Sequence, residues 1–166
     1  DGIRVYGGTG VHTCALPIFP RSRALAENFA TQWLQIGVLY EASPDAELFP
    51  EFDESLRLAM REETLRFFDH VLREELPASV LLDADFSLLN ERLAEHYGVP
   101  GVEGEMMRVV SLSETPRRGL LGHASVLTAT SNPTRTSPVR RGKWVLDAIL
   151  GTPDRKSTRL NSSHVV

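Results

Sequence analysis

Cysteine is almost missing from this sequence. The single Cys14 excludes an internal disulfide and leaves cysteine usage silent about redox compartment. Long apolar runs are missing too: stretches such as "WVLDAIL" at 144–150 fall far short of the ~20 residues that a bilayer helix needs. No membrane-spanning segment is therefore expected, and the first residues lack the basic-then-apolar order of a secretion signal. There is no excess of positive charge. A net charge of -4 over 166 residues argues against nucleic acid as a general partner. Internal repeats and low-complexity tracts are also lacking. What is present is 42% hydrophobic residues, ordinary for one globular domain with a sizeable core.

Both ends carry peptides without hydrophobic periodicity. "DRKSTRLNSSH", Asp154 to His164, resembles the translation of a common sequencing adapter. "TGVHTCALPI", Thr9 to Ile18, resembles a translation of the complementary strand, with His12 where Gln would be expected. Residues 1–18 and 154–166 are accordingly expected to be assembly artefacts without structure. That reading removes His12, Cys14 and His164 as candidate ligands, and "YGGTG" as a phosphate loop, leaving Phe19 to Pro153.

Within that span the charge changes sign. Residues 19–105 hold eighteen acidic and seven basic side chains, and residues 106–153 hold two acidic and seven basic. The change falls on the Pro/Gly-rich "GVPGVEGE", which predicts two pieces, 19–99 and 100–153, meeting there.

The predicted fold class is mainly α, with at most one short strand or hairpin after the third helix. "RALAENFATQWLQIGVL" sets Leu25, Phe29, Trp33 and Ile36 at helical spacing, as one buried face. "DESLRLAMREETLRFFDHVLREE" predicts the central helix. Asp53 is its N-cap, and Leu56, Met60, Phe67 and Val71 form one apolar face beside Leu58, Leu65, Phe68 and Leu72. Glu62, Glu63, Arg66, Asp69, His70 and Arg73 form the polar sector, with Glu62–Arg66 and Asp69–Arg73 pairing at i, i+4. A third helix is expected over "SLLNERLAEHY", capped by Ser87 and stopped by Gly98 and Pro100. "MMRVVSL" reads as a strand. "RRGLLGHASVLTAT" is ambiguous, its glycines opposing the apolar face of Leu120, Leu121, Ala124 and Leu127. Ser137, Pro138 and Gly151 mark a final helix.

Chemistry is sparse, and no catalytic residue is assigned. His70, His96 and His123 lack a partner ligand at i, i+3 or i, i+4, so no metal site is indicated and each reads as surface or core-edge packing. Asp83 and Asp85 could act as an acid–base pair, but caps before a helix are the plainer reading. An enzyme built on Asp83, Asp85 and His96 is the least favoured reading. Ser125 lacks the second glycine of a nucleophile elbow. The richest segment, "TSNPTRTSPVRRGKW", gathers Arg135, Arg140, Arg141 and Lys143 beside a helix start, where an anion or acidic partner could bind. The alternative is a rigid loop satisfying its own backbone.

Several motifs occur in order: "ENFATQWL", "FDESLRLAMREETLRFFDHVLREE", "LLDADFSLLNERLAEHYGVPG" and "RRGLLGHASVLTATSNPTRTSPVRRGKWVLDAILGTP". Together they resemble large multi-domain proteins of planctomycetes and related bacteria, built from planctomycete cytochrome c domains and adjoining domains of unknown function. The resemblance implies that 19–99 is the end of a helical domain of unknown function and 100–153 the start of a cytochrome-c-like domain lacking its haem motif. In such proteins a Cys-x-x-Cys-His site follows "LGTP", so a c-type haem is expected in the intact parent and none in this fragment. The family often carries Gln at the position of His123. The fragment is expected to be non-catalytic and extracytoplasmic, periplasmic or at the cell surface. Its partners would be the parent's other domains, and the parent's role would be electron transfer or polymer degradation. The other reading is a helical interaction module whose basic loop 131–143 binds an anionic ligand or partner.

Overall fold

The computed structural model describes residues 23–152. The expectations for residues 1–18 and 154–166 lie outside the described residues. The chain is mainly α. Helix α1 comprises a π turn, Ala26–Ala30, running into Thr31–Trp33, and a 3-10 stretch follows at Ile36–Tyr40. Next come α2 (Glu54–Arg73), the short α3 (Val80–Asp83), β1 (Phe86–Leu89), α4 (Glu91–Tyr97) and β2 (Arg108–Ser111). A 3-10 turn at Leu120–Gly122 precedes α5 (Ala124–Ala129). Finally α6 (Pro138–Trp144) continues as a π turn, Val145–Ile149.

Helix α2 is the spine, and its local signals act as the sequence predicts. The Asp53 carboxylate accepts from the Leu56 N–H at 2.7 Å, satisfying one of the free donors at the helix start. Arg66 and Arg73 pair with Glu62 and Asp69 at 2.9 and 2.8 Å. Leu56, Met60, Leu65, Phe67, Phe68 and Val71 are buried, but Leu58 and Leu72 are exposed. The helix links two apolar clusters. One centres on Leu34, Ile36, Phe67, Leu120, Val126 and Trp144, the other on Leu39, Leu56, Met60, Leu89, Leu93 and Leu112.

Helix α1 turns a different face inward from the one expected. Ala26, Ala30 and, just beyond the helix, Leu34 are buried, whereas Leu25 and Phe29 are 50% and 48% exposed; Ile36, in the 3-10 stretch, is buried as expected. Two alanines allow close approach to α2, while the bulky Phe29 and Trp33 gather with Phe68 as an aromatic group, centroids 5.6 to 6.1 Å apart. Two tryptophans clasp the first and last helices: Trp33 Nε1 donates to the Ala148 carbonyl at 2.7 Å, and Trp144 Nε1 to the Leu34 carbonyl at 2.9 Å.

The expected helix over residues 87–97 is split. Ser87 to Leu89 belong to β1, which pairs antiparallel with β2 in the register Phe86↔Ser111 to Leu89↔Arg108. The hairpin thus starts before α4, and α4 lies in the connection between its strands. Its cap is Asn90, not Ser87: Asn90 Oδ1 accepts from Leu93 N–H at 3.0 Å. Ser87 is needed inside, where it is fully buried. Gly98 ends α4 at φ 70°, the left-handed position expected of it. In the ambiguous segment Leu120 and Ala124 pack inward but Leu121 is exposed. Gly119 adopts φ 43°, where a Cβ would lie 2.5 Å from the Leu81 carbonyl oxygen. Ser137 caps α6 and Pro138 opens it, as predicted.

Candidate functional site

Six buried residues carry polar groups into the interior: Glu63, Thr64, Ser87, His123, Ser125 and Thr130. The first five form one network with Tyr97. Consecutive on α2, Glu63 and Thr64 follow Met60 of one apolar cluster and precede Leu65 of the other. Ser87 comes from an inward position of β1, Tyr97 from the end of α4, and His123 and Ser125 from the start of α5.

The Glu63 carboxylate accepts from Ser87 Oγ at 2.7 Å and from the Tyr97 hydroxyl at 2.6 Å. Tyr97 in turn accepts from the Ala124 N–H at 2.8 Å. Thr64 Oγ1 lies 3.0 Å from His123 Nδ1 and 2.6 Å from Ser125 Oγ, while Ser87 Oγ lies 3.4 Å from His123 Nε2. Arg117 covers the outer side, its guanidinium 3.8 Å from the Tyr97 ring centroid and bonded to the Gly122 carbonyl at 2.6 Å.

Burial governs the charges. It pushes the Glu63 carboxyl up to about 7, against the opposing pull of hydrogen bonds from Tyr97 and Ser87 and the charge of Arg117. Burial, helped by Arg117, pushes the His123 imidazole down to about 3. The 3.9 Å approach of His123 Nε2 to Glu63 Oε1 is therefore not an ion pair near neutral pH, because His123 is uncharged there. Tyr97 is raised well above the usual phenol value, first by burial and then by Glu63.

A serine, a histidine and a glutamate suggest a nucleophile with its base, but the connectivity differs. In a triad the acid orients the histidine; here Glu63 is bonded to the serine, and His123 Nδ1 faces Thr64. Glu63, Thr64, Ser87 and Ser125 are 0% exposed, so no substrate atom reaches them. The arrangement ties α2, β1, α4 and the start of α5 to one another. Haem does not fit it either. Both His123 ring nitrogens face hydroxyls inside the core, and a c-type site needs two thiols, whereas the sequence holds only Cys14, outside the described residues.

A groove of about 720 Å³ opens elsewhere, between residues 41–52 and the segment 127–141, with Leu56 and Met60 among its lining. Arg135, Arg140 and Arg141 line it, as does His96. The Arg140 guanidinium donates to the Ser131 carbonyl at 2.7 Å and Asn132 Oδ1 at 3.1 Å, and Arg141 Nε donates to Thr130 Oγ1 at 3.4 Å. Lys143 is exposed and does not line the groove. Asp83 and Asp85 are exposed and apart from it; they precede a strand rather than a helix. His70 packs edge-on to Phe86 at 5.7 Å. Among the described residues no three His, Cys, Asp or Glu side chains gather as metal ligands, and no helix is long and apolar enough to cross a membrane.

This network is not among the sequence-based expectations: helical periodicity places Glu63 in the solvent-facing sector and His123 at the surface or core edge, and the burial of both corrects that reading. The available signal was Glu63 and Thr64 falling between Met60 and Phe67 on the apolar arc of α2.

The family described as PSD4, a protein of unknown function (DUF1592), matches residues 16–99. The one described as PSCyt3, a protein of unknown function (DUF1588), matches residues 117–163. No curated protein and no solved structure matches the chain.

Proposed function

This chain belongs to the PSD4 family of unknown function (DUF1592), and from that premise we propose that it is a non-catalytic joint within an uncharacterised multi-domain protein. It would lock the PSD4 segment onto the PSCyt3 segment behind it. One observation carries the reading: the buried network draws Glu63, Thr64, Ser87 and Tyr97 from the first matched segment and Arg117, His123, Ala124 and Ser125 from the second. Buried polar groups are costly unless every partner is in place, so such a network specifies one docking geometry.

In the intact parent, both families being associated with planctomycete cytochrome c domains, the part held in place would carry a c-type haem and transfer electrons outside the cytoplasm. The joint would then set the haem's distance and orientation to its redox partner. The test is expression of the uncut gene in a host that matures c-type cytochromes. Covalent haem with a reducible absorption band is expected; a full-length product without haem would overturn the electron-transfer reading.

A further inference from the structure

We propose that the groove between residues 41–52 and 127–141 is a binding site for an amphipathic carboxylate, an apolar body carrying one anionic head. The proposal goes beyond the joint and does not depend on it.

The walls are tied together before any ligand arrives, because the Asp45 N–H donates to the Pro133 carbonyl at 3.0 Å. The volume of about 720 Å³ falls in the range of small-molecule sites, roughly 300–1,000 Å³. Phe49, Phe52, Leu56, Met60 and Leu127 supply an apolar lining, and Phe49 is 45% exposed, hydrophobic area that a ligand would cover.

The charge supplies the second half. Arg23, Arg57, Arg61, Arg66, Arg73 and Arg92 each have a carboxylate within ion-pair distance. Among the described residues Arg108, Arg117 and Arg118 have none but donate to backbone carbonyls, and Arg135, Arg140 and Arg141 have none although Glu41 and Glu51 line the same groove. Arg140 commits Nη1 to Ser131 and Asn132, and Arg141 commits Nε to Thr130. Those bonds orient both guanidinium forks and leave their other N–H groups for an acceptor. Planar forks held this way suit a carboxylate, and the adjacent apolar lining selects a carboxylate with a hydrocarbon body over a small inorganic anion.

The experiment is calorimetric titration of the whole chain with decanoate, decanol and acetate. Decanoate should bind saturably, with decanol weaker by about tenfold or more, the scale of one charge-assisted contact, and acetate weaker by at least as much through its missing hydrocarbon body. Arg135 lines the groove, and its guanidinium makes no hydrogen bond or ion pair with the described residues, so Arg135→Gln should weaken decanoate about tenfold and leave decanol unchanged. Phe49→Ser should weaken both. Equal binding of decanoate and decanol, no saturable binding of decanoate, or indifference to Arg135→Gln with the fold intact by circular dichroism would overturn the proposal.

Discussion

The Tyr97 hydroxyl donates to Glu63 at 2.6 Å and accepts from the Ala124 N–H at 2.8 Å, so one oxygen bridges α2 to the start of α5. Phenylalanine at 97 keeps the ring under Arg117 but leaves the Ala124 donor unpaired and Glu63 with one donor fewer. Tyr97→Phe should therefore lower stability by about 1–3 kcal/mol, measured by urea denaturation at pH 6. A change within experimental error would mean that the bridge contributes little.

Glu63 and His123 give the stability curve its shape. The folded Glu63 titrates at about 7 against an ordinary 4.5, so between these values the folded chain keeps a proton that the unfolded chain has lost. Stability from this group falls as pH rises through that window and is level above 7. His123 titrates at about 3 against 6.5, so there the unfolded chain takes a proton that the fold refuses, and stability rises with pH. The two slopes oppose each other between 4.5 and 6.5. Acid loss should thus concentrate at pH 3 to 4.5, and a smaller loss should appear from 6.5 to 7. Glu63→Gln should abolish the second loss, with each pKa unit worth about 1.4 kcal/mol. Urea midpoints across pH decide it, and an unchanged alkaline decline in the variant would contradict this assignment.

The same network couples a proton to a tautomer. With Glu63 ionised, Ser87 must donate to it, so Ser87 accepts from His123 Nε2–H, and Nδ1 is left to accept from Thr64. With Glu63 protonated toward Ser87, every direction can reverse. His123 should pass from the Nδ1–H to the Nε2–H tautomer as pH rises through about 7, visible in its ring nitrogen NMR shifts. One tautomer from pH 6 to 8 would exclude the coupling.

Gly119 is required by space as well as by its backbone angle. At φ 43° a Cβ would lie 2.5 and 2.7 Å from the carbonyl oxygens of Leu81 and Leu82, and the Gly119 N–H is bonded to Ala84 at 3.0 Å. Gly119→Ala should destabilise by roughly 1–3 kcal/mol or more, lowering the thermal midpoint. Gly98→Ala, with nothing within 4 Å of its Cβ, should cost less, through its backbone angle alone.

The features legible in the sequence are those decided within a turn or two of chain: Asp53 and Ser137 as caps, Gly98 as a stop, the Glu62–Arg66 and Asp69–Arg73 pairs, and the strand at Arg108–Ser111. The network was not legible because its partners lie 24 to 61 residues apart, and periodicity assigns a face without saying what waits opposite it. Ser87 shows this most clearly. Its neighbours allow either a helix cap or a strand, and the choice is made by β2 on one side and Glu63 beneath. The inward face of α1 is not legible from side-chain size, because small Ala26 and Ala30 permit the closest packing. One family match ends at residue 99 and the other begins at residue 117, yet side chains from both matched segments fill the same two clusters.

If the network fuses the two matched segments into one cooperative unit, native-state hydrogen exchange under increasing urea will show them opening together. Amides at Leu65 to Phe68 in α2 and at Val126 to Leu127 in α5 should converge on one opening free energy and exchange together. Should α5 open at lower urea while α2 stays protected, the two segments are separately stable and the joint is not what holds them.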